Sequence, residues 1–270
     1  MALNDMLGNQ ELDEMILITK KVENMEIISR QNSVIQQVKK LKIKKNREAS
    51  GTFIVEGYRN VIDSIKFSEP VFIFVTDGNS ADFSCPVYKV TEKIFEEISD
   101  TKTPQGILGV FNIPKFDEKK VGDKIVLLNG VSDPGNVGTI LRTSLATGFN
   151  TVILDKNCAD AFSGKVVRSA MSAIFSLNIL RVEGLDEIFS SYKDFTFYAS
   201  ALTDNSKSLY DINFKGKTAL ILGSEANGIE PCILDKADIT YKIPMNKEIE
   251  SLNVAVAASV SQYEIYRQNF

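Results

Sequence analysis

Three short segments in the C-terminal half combine glycine, amide, carboxylate and arginine side chains in ways that could do chemistry. They are DPGNVG at 133–138, GSEANG at 223–228 and PMNKEIESLN at 244–253. In the first, Pro134-Gly135 reads as a type II turn with glycine supplying a positive φ. Asn136 reads as a cap for the next helix, and Gly138 as a point where a ligand or another backbone comes close. Arg142 lies within that helix, a permanently charged planar fork suited to phosphate. In the second segment Gly223, Ser224 and Glu225 directly follow the apolar run ALIL, which puts a carboxylate at the end of a buried strand. In the third, Pro244 ends a strand and Ser251-Leu252-Asn253 precedes an alanine- and valine-rich helix. Ser251 or Asn253 reads as its N-cap, or Asn253 as an amide offered to a ligand. Taken singly, each loop reads as well as a cap or a turn as it does as a site.

Composition removes several alternatives. The 270 residues contain no histidine, which excludes Ser-His-Asp and Cys-His catalysis and histidine-based metal sites. Cys85, Cys158 and Cys232 are odd in number and far apart, so neither a disulfide framework nor a zinc site is expected. A reducing cytoplasm fits, with no metal. No apolar run approaches the ~20 residues of a membrane span, and the N-terminus lacks the basic-then-apolar order of a secretory signal. The dinucleotide fingerprint G-x-G-x-x-G is absent. Ser163-Gly164-Lys165 lacks the rest of a Walker motif.

The elements that must position the loops follow from periodicity. Residues 1–25 are polar apart from an apolar knot at Met15–Ile18 and read as a loose helix or tail. Residues 26–113 alternate helix and strand: a helical pattern over 32–46, the strand TFIVEG, a helix through Val61, Ile62 and Ile65, the strands VFIFVTDG and VYKVT, a helix from Thr91, and the strand GILGVFNI. Residues 114–123, PKFDEKKVGD, read as a linker. From Lys124 to residue 270 a second series begins with IVLLN, a helix from about Val137 to Thr147, and TVILD. A helix over Ala161–Phe175, a strand at Leu177–Arg181, a helix near Leu185–Ser191 and the strands FTFYAS, TALILG and YKIPM follow. A final helix over 253–268 is expected to turn Val256, Val260 and Tyr263 inward. Such alternation predicts an α/β fold with a mostly parallel sheet covered on both faces. Ligands of such sheets bind beyond the carboxyl ends of the strands, where all three loops lie.

Charge is uneven. The net charge is −4, and acids predominate over residues 1–29, yet residues 30–66 carry nine basic side chains against three acids. The centre of that stretch is Lys39, Lys40, Lys42, Lys44, Lys45 and Arg47. It reads equally as a phosphate contact and as a solvated helix face.

The segments DPGNVGTILRTSLATGF, ILGSEANGI and IPMNKEIESLNVAVAASV, in that order, resemble the three motifs of the SpoU (TrmH-like) RNA 2′-O-ribose methyltransferases of the SPOUT superfamily. AFSGKVVRSAMSAIFSL resembles the stretch between the first two motifs. ISRQNSVIQQVKKL and GTFIVEG resemble the family's N-terminal substrate-binding domain, itself similar to kink-turn-binding ribosomal proteins. The likeness covers about residues 26–270. It implies a catalytic domain over 124–270 with a C-terminal trefoil knot, S-adenosylmethionine as cofactor, and a homodimer with active sites at its interface. By position it implies catalytic roles for Asn136, Arg142, Glu225, Ser251 and Asn253. The cofactor would be held by Leu222, Gly223, Ile243, Met245 and Leu252. The substrate would be ribosomal RNA ahead of transfer RNA, docked by the front domain through the basic stretch. Two other classes stay open: a non-catalytic RNA-binding protein, and a nucleotide-dependent oxidoreductase, which the missing glycine fingerprint disfavours.

Overall fold

The computed structural model describes residues 24–79 and 83–270, so the Met15–Ile18 knot and the reading of residues 1–23 lie outside the described residues. The N-terminal part runs β1 Asn24–Ile27, α1 Ser33–Lys40, α2 Lys44–Ser50, β2 Thr52–Glu56, α3 Tyr58–Ile65, β3 Phe72–Val75, β4 Val87–Val90, α4 Glu92–Ile98 and β5 Ile107–Asn112. Its five strands form one sheet in the order β1-β4-β3-β5-β2, with β5 antiparallel to both neighbours. The basic stretch is two helices, not one. Arg47 Nη1 donates to the Leu41 carbonyl (2.6 Å) and Asn46 Nδ2 to that of Lys40 (2.9 Å), so side chains of α2 satisfy the carbonyls on which α1 ends.

After a short 3₁₀ turn at Glu118–Lys120, the second part runs β6 Lys124–Asn129, α5 Pro134–Ala146, β7 Thr151–Leu154, α6 Gly164–Ala170, α7 Ala173–Ser176, β8 Asn178–Arg181, α8 Asp186–Ser191, β9 Thr196–Ser200, β10 Lys207–Ser208, β11 Thr218–Gly223, α9 Pro231–Leu234, β12 Ile239–Lys242 and α10 Val254–Gln268. Its seven strands lie in the order β10-β12-β9-β11-β6-β7-β8, and every pair is parallel. Parallel strands place all their carboxyl ends along one edge, which gathers loops distant in sequence. The strands IVLLN and TALIL are buried along their length, as helices on both faces require. The helix expected over Ala161–Phe175 is broken into α6 and α7 at Met171, whose φ of 57° no α-helix accommodates.

The two sheets share an apolar cluster. Phe53 of β2 packs against Phe162 and Phe175 of the second part, with ring centroids 5.2 and 5.5 Å apart. The inward face of α10 differs from expectation. Val254, Ala255, Ala258, Ser261, Gln262 and Ile265 are buried, while Val256 and Tyr263 are exposed and Val260 is half-buried. The sequence VAVAASVSQY is mostly apolar on every face, so periodicity could not choose among them. The buried polar groups decide: Tyr241 Oη donates to Ser261 Oγ (2.8 Å) and Gln262 Nε2 to Ser144 Oγ (3.1 Å). Among the described residues no helix is long and apolar enough to cross a membrane.

Candidate active site

The first loop is already helix. Pro134 occupies the first turn of α5, where its missing N–H costs nothing, so Gly135 is helical and not the positive-φ residue of a type II turn. Asp133 is the N-cap, and its carboxylate accepts the Asn136 N–H (3.0 Å). This N–H and, next, Lys165 (3.3 Å) hold the Asp133 carboxyl below the usual carboxylate range. The Asn136 side chain is thereby released from the capping role expected of it. Gly138 does admit another backbone. A Cβ there would lie 2.4 Å from Ser169 Cβ and 2.8 Å from the Val166 carbonyl of α6.

The second loop closes on itself. Ser224 and Gly228 exchange backbone hydrogen bonds of 3.0 and 2.9 Å, and Gly228 has φ +66°. A Cβ at Gly223 would meet Gly228 and Ile229 backbone atoms at 2.1–2.3 Å, so only glycine fits. Glu225 stands at the exposed tip.

In the third loop Asn253 takes the capping role expected of it, and its amide is offered to the other two loops. Its Oδ1 caps α10 by accepting the N–H groups of Ala255 (3.0 Å) and Val256 (3.3 Å). That commitment turns Nδ2 toward the other loops, where it donates to Asn136 Oδ1 (3.1 Å) and Glu225 Oε1 (3.0 Å). Asn136 Nδ2 donates to the same Glu225 oxygen. Three side chains from three loops thus form a closed triangle in which each amide has one available orientation.

Beside the triangle lies a cavity of 350 Å³. Leu222, Gly223, Ile243, Met245 and Leu252, the five residues read as the cofactor wall, all line it, as do Glu225 and Ser251. Ser251 takes no part in the triangle. Arg142 lines neither the cavity nor the triangle; it opens into a different cleft, between the two sheets.

A polar bracket that sequence reasoning missed holds the edge together. Asn129, the last residue of β6, accepts the Glu230 N–H through Oδ1 (2.7 Å) and donates through Nδ2 to Asp155 Oδ2 (2.7 Å). Asp155 also accepts from Gly130, Asn157 and Cys158 N–H groups at 2.9–3.0 Å. The sequence shows only that IVLLN and VILD each end in a polar residue; that the two ends meet depends on the sheet order. Burial pushes the Cys158 thiol up to about 12, which leaves it protonated and unreactive.

The basic stretch does not act as one surface. Arg47 is a correction to the sequence reading: only 5% exposed, it donates through Nε and Nη2 to Asp160 of the second part. Lys39 pairs with Glu97 (2.5 Å) and Lys42 with Asp100 (3.1 Å); Lys44 reaches Glu48 at 3.4 Å, while Lys40 and Lys45 point to solvent. Exposed apolar side chains, Leu145, Val256, Tyr263 and Phe270, occur on α5, on α10 and at the C-terminus.

Comparison with known proteins agrees with this architecture. The SpoU rRNA Methylase family matches residues 123–263, and the MRM3-like substrate binding domain matches residues 32–109. A Bacillus subtilis protein named 23S rRNA (guanosine(2553)-2′-O)-methyltransferase RlmP is 33% identical over 248 residues, covering 89% of this chain and 98% of that protein. A solved TrmH-family structure from Porphyromonas gingivalis superposes with a TM-score of 0.78 at 30% identity, covering 88% of this chain and 98% of the other. An AdoMet-bound rRNA methyltransferase from Sinorhizobium meliloti superposes with a TM-score of 0.78 at 26% identity, covering 91% and 98%.

Proposed function

Because this chain belongs to the SpoU rRNA Methylase family, we propose that it transfers a methyl group from S-adenosylmethionine to a ribose 2′-hydroxyl of structured RNA, ribosomal RNA ahead of transfer RNA. One observation carries the reading. The five residues assigned to the cofactor line a single cavity, and Asn136, Glu225 and Asn253 interlock beside it.

The cavity suits the cofactor. Its walls are apolar at Leu222, Ile243, Met245 and Leu252, as an adenosyl group requires, and the missing side chain of Gly223 keeps its backbone in the lining. When bound, the cofactor supplies an electrophilic methyl group on a sulfonium whose leaving group is neutral. The protein's task is then alignment and management of one proton. Alignment alone contributes roughly 7–11 kcal/mol when the attack geometry is right. The triangle fixes the Asn136 and Asn253 amides, and Glu225 Oε1, which accepts from both, is their common anchor. Arg142 is exposed and makes no hydrogen bond among the described residues, so its guanidinium is available to orient the nucleotide and stabilise the developing oxyanion. A guanidinium stays protonated, and the 2′-proton passes to a phosphate oxygen or water.

The remaining assignments are part of the same proposal. Residues 26–113 are the RNA-binding domain, similar to kink-turn-binding ribosomal proteins, with Lys40 and Lys45 exposed and unpaired among the described residues. Residues 124–270 are the methyltransferase domain, whose last helix and the loop after Tyr241 pass through a preceding loop as a trefoil knot. Exposed Leu145, Val256 and Tyr263 support a homodimer, and the separation of Arg142 from the cavity within one chain supports a site completed across two chains. The location is the cytoplasm. Calorimetry with S-adenosylmethionine and mapping of 2′-O-methyl sites in ribosomal and transfer RNA, with and without the protein, test the reading. Binding of the cofactor and loss of one methylated ribosomal position are expected. No binding and no lost position would overturn it. Gly223→Ala is expected to abolish cofactor binding, since the clash is with backbone.

A further inference from the structure

The close crossing of α5 and α6 has a second consequence. Gly138 is the point of contact, and Arg142 lies one turn beyond it on α5, while Arg168 directly precedes Ser169, its contact on α6. Both arginines line a cleft of 530 Å³ between the two sheets, and Arg59 of α3 lines it from the N-terminal side. Arg168 makes no hydrogen bond and no ion pair among the described residues, and its Nη1 is buried without a partner. A buried charged donor left unsatisfied is costly, and such a group calls for a water, an ion or a ligand to complete it.

Among the described residues, neither nearby carboxylate pairs with Arg168. Glu56 lines the same cleft, but its Oε1 accepts from the hydroxyls of Ser99 and Thr101 and its Oε2 from the Asp100 N–H (2.9 Å). Asp100 is paired with Lys42 through Oδ1 (3.1 Å), while its Oδ2 faces Gly164 on the same side as Arg168 Nη1 without forming an ion pair with it. Arg59 reaches Asp63 only at 3.8 Å with its side chain 84% exposed. Three guanidinium groups therefore face one concavity with spare donors. Met171 lines it too, held at a φ of 57° that a non-glycine residue seldom adopts, a strain found most often at functional sites.

We propose that this cleft holds an RNA phosphodiester next to the target nucleotide, with Arg168 positioning it through the fork that the protein leaves unpaired. Arg142 reaches the same strand from the adjoining helix, and Arg59 meets it at the cleft's entrance. The inference rests on the RNA-methylating reading above and adds to it the residue that seats the backbone. Planar, bidentate donors are suited to phosphate oxygens, and two helices packed through glycine fix their spacing.

The test is binding of an unmodified ribosomal RNA transcript by fluorescence anisotropy over a range of salt, beside calorimetry with S-adenosylmethionine. Arg168→Gln is expected to weaken RNA binding roughly 10-fold or more and to make the slope of log affinity against log salt shallower by about 0.7–0.9, one phosphate contact. Cofactor affinity should not change. Arg168→Lys should restore the slope but not the full affinity, because lysine keeps the charge without the fork. Arg59→Gln, at an exposed side chain that folding does not need, should also flatten the slope. Wild-type slope and affinity in both Gln variants would overturn the proposal, as would Arg168→Met melting higher with RNA binding intact, the mark of a purely structural arginine. If the unaltered protein binds neither transcript nor cofactor, the broader functional reading fails; if it binds both and the variants match it, this inference alone fails.

Discussion

The basic stretch of α1 and α2 and the carboxyl edge of the parallel sheet were both nominated from sequence, and the fold treats them differently. In the first, likeness of charge is the only link between neighbours. Arg47 is turned inward to Asp160, Lys39 and Lys42 are tied to Glu97 and Asp100, and the set disperses. In the second, nothing in the local sequence joins Asn136, Glu225 and Asn253, yet they meet within hydrogen-bonding distance. Parallel topology forces the carboxyl ends of strands together, whereas a run of like charges imposes no common direction on its side chains. The contrast is sharpest between two arginines. Arg47 is buried and paired, and Arg142 is exposed and free.

The largest effect expected from that contrast is at Arg142. Arg142→Lys keeps the charge and, at an exposed position, the fold, but loses the fork. Turnover should fall about 10²–10³-fold, the range for removing one donor from a developing oxyanion, with cofactor affinity unchanged. Near-normal turnover in a single-turnover assay would show that charge alone suffices. The matching break at the other arginine is Asp160→Asn. It strands the Arg47 guanidinium beside a neutral partner, with the pair's side chains only 6% and 18% exposed. A loss of about 3 kcal/mol in denaturant unfolding is expected, with site chemistry retained in the folded fraction. The double replacement Arg47→Met with Asp160→Leu should recover most of that loss. If Asp160→Asn costs nothing, Arg47 is not structural and returns to the RNA-binding set.

The strands that carry the site were legible because β6 and β11 hold the apolar runs IVLL and ALIL, and β9 the shorter run FYA between Thr196 and Ser200. The five residues proposed to hold the cofactor were nominated through resemblance to known motifs, and they line one cavity. Three things were not legible, each for a physical reason. The break between α1 and α2 depends on Arg47 and Asn46 reaching back to carbonyls, which no hydrophobic period records. The inward face of α10 depends on Ser261 and Gln262 finding polar partners on β12 and α5. The Asn129–Asp155 bracket joins two strand ends that only the sheet order makes neighbours.

A smaller effect separates the two duties of Asn253. Asn253→Ser keeps an oxygen for the N-cap but removes the amide donor that joins Asn136 and Glu225. Stability should stay within a few tenths of a kcal/mol, since serine caps as well as asparagine, while turnover falls roughly 10-fold, the worth of a hydrogen bond or so. Asn253→Ala should lose the same activity and in addition about 1 kcal/mol of stability. Equal stability losses in the two variants would mean that the triangle, and not the cap, holds the start of α10, and the site edge would then be a structural device as much as the Arg47 pair is.

The smallest effect tests whether charge matters at the site edge at all. Asp133 caps α5 and sets the turn that carries Asn136, and its carboxyl is held low first by the Asn136 N–H and then by Lys165. A carboxyl lowered in the folded state adds stability that is present above its unfolded value and lost as pH falls through the folded one. The Asp133 side chain is 48% exposed, so solvent screens the contribution and it should be slight. Asp133→Asn retains the capping oxygen without the charge. The wild-type protein should therefore be marginally the more stable at neutral pH, and the gap between the two should close below about pH 4, when both are followed by thermal unfolding. A gap that persists unchanged to low pH would show that the cap acts as a neutral acceptor and that Lys165 contributes nothing. In that case the edge, like the basic stretch, would owe its geometry to hydrogen bonds alone and not to its charges.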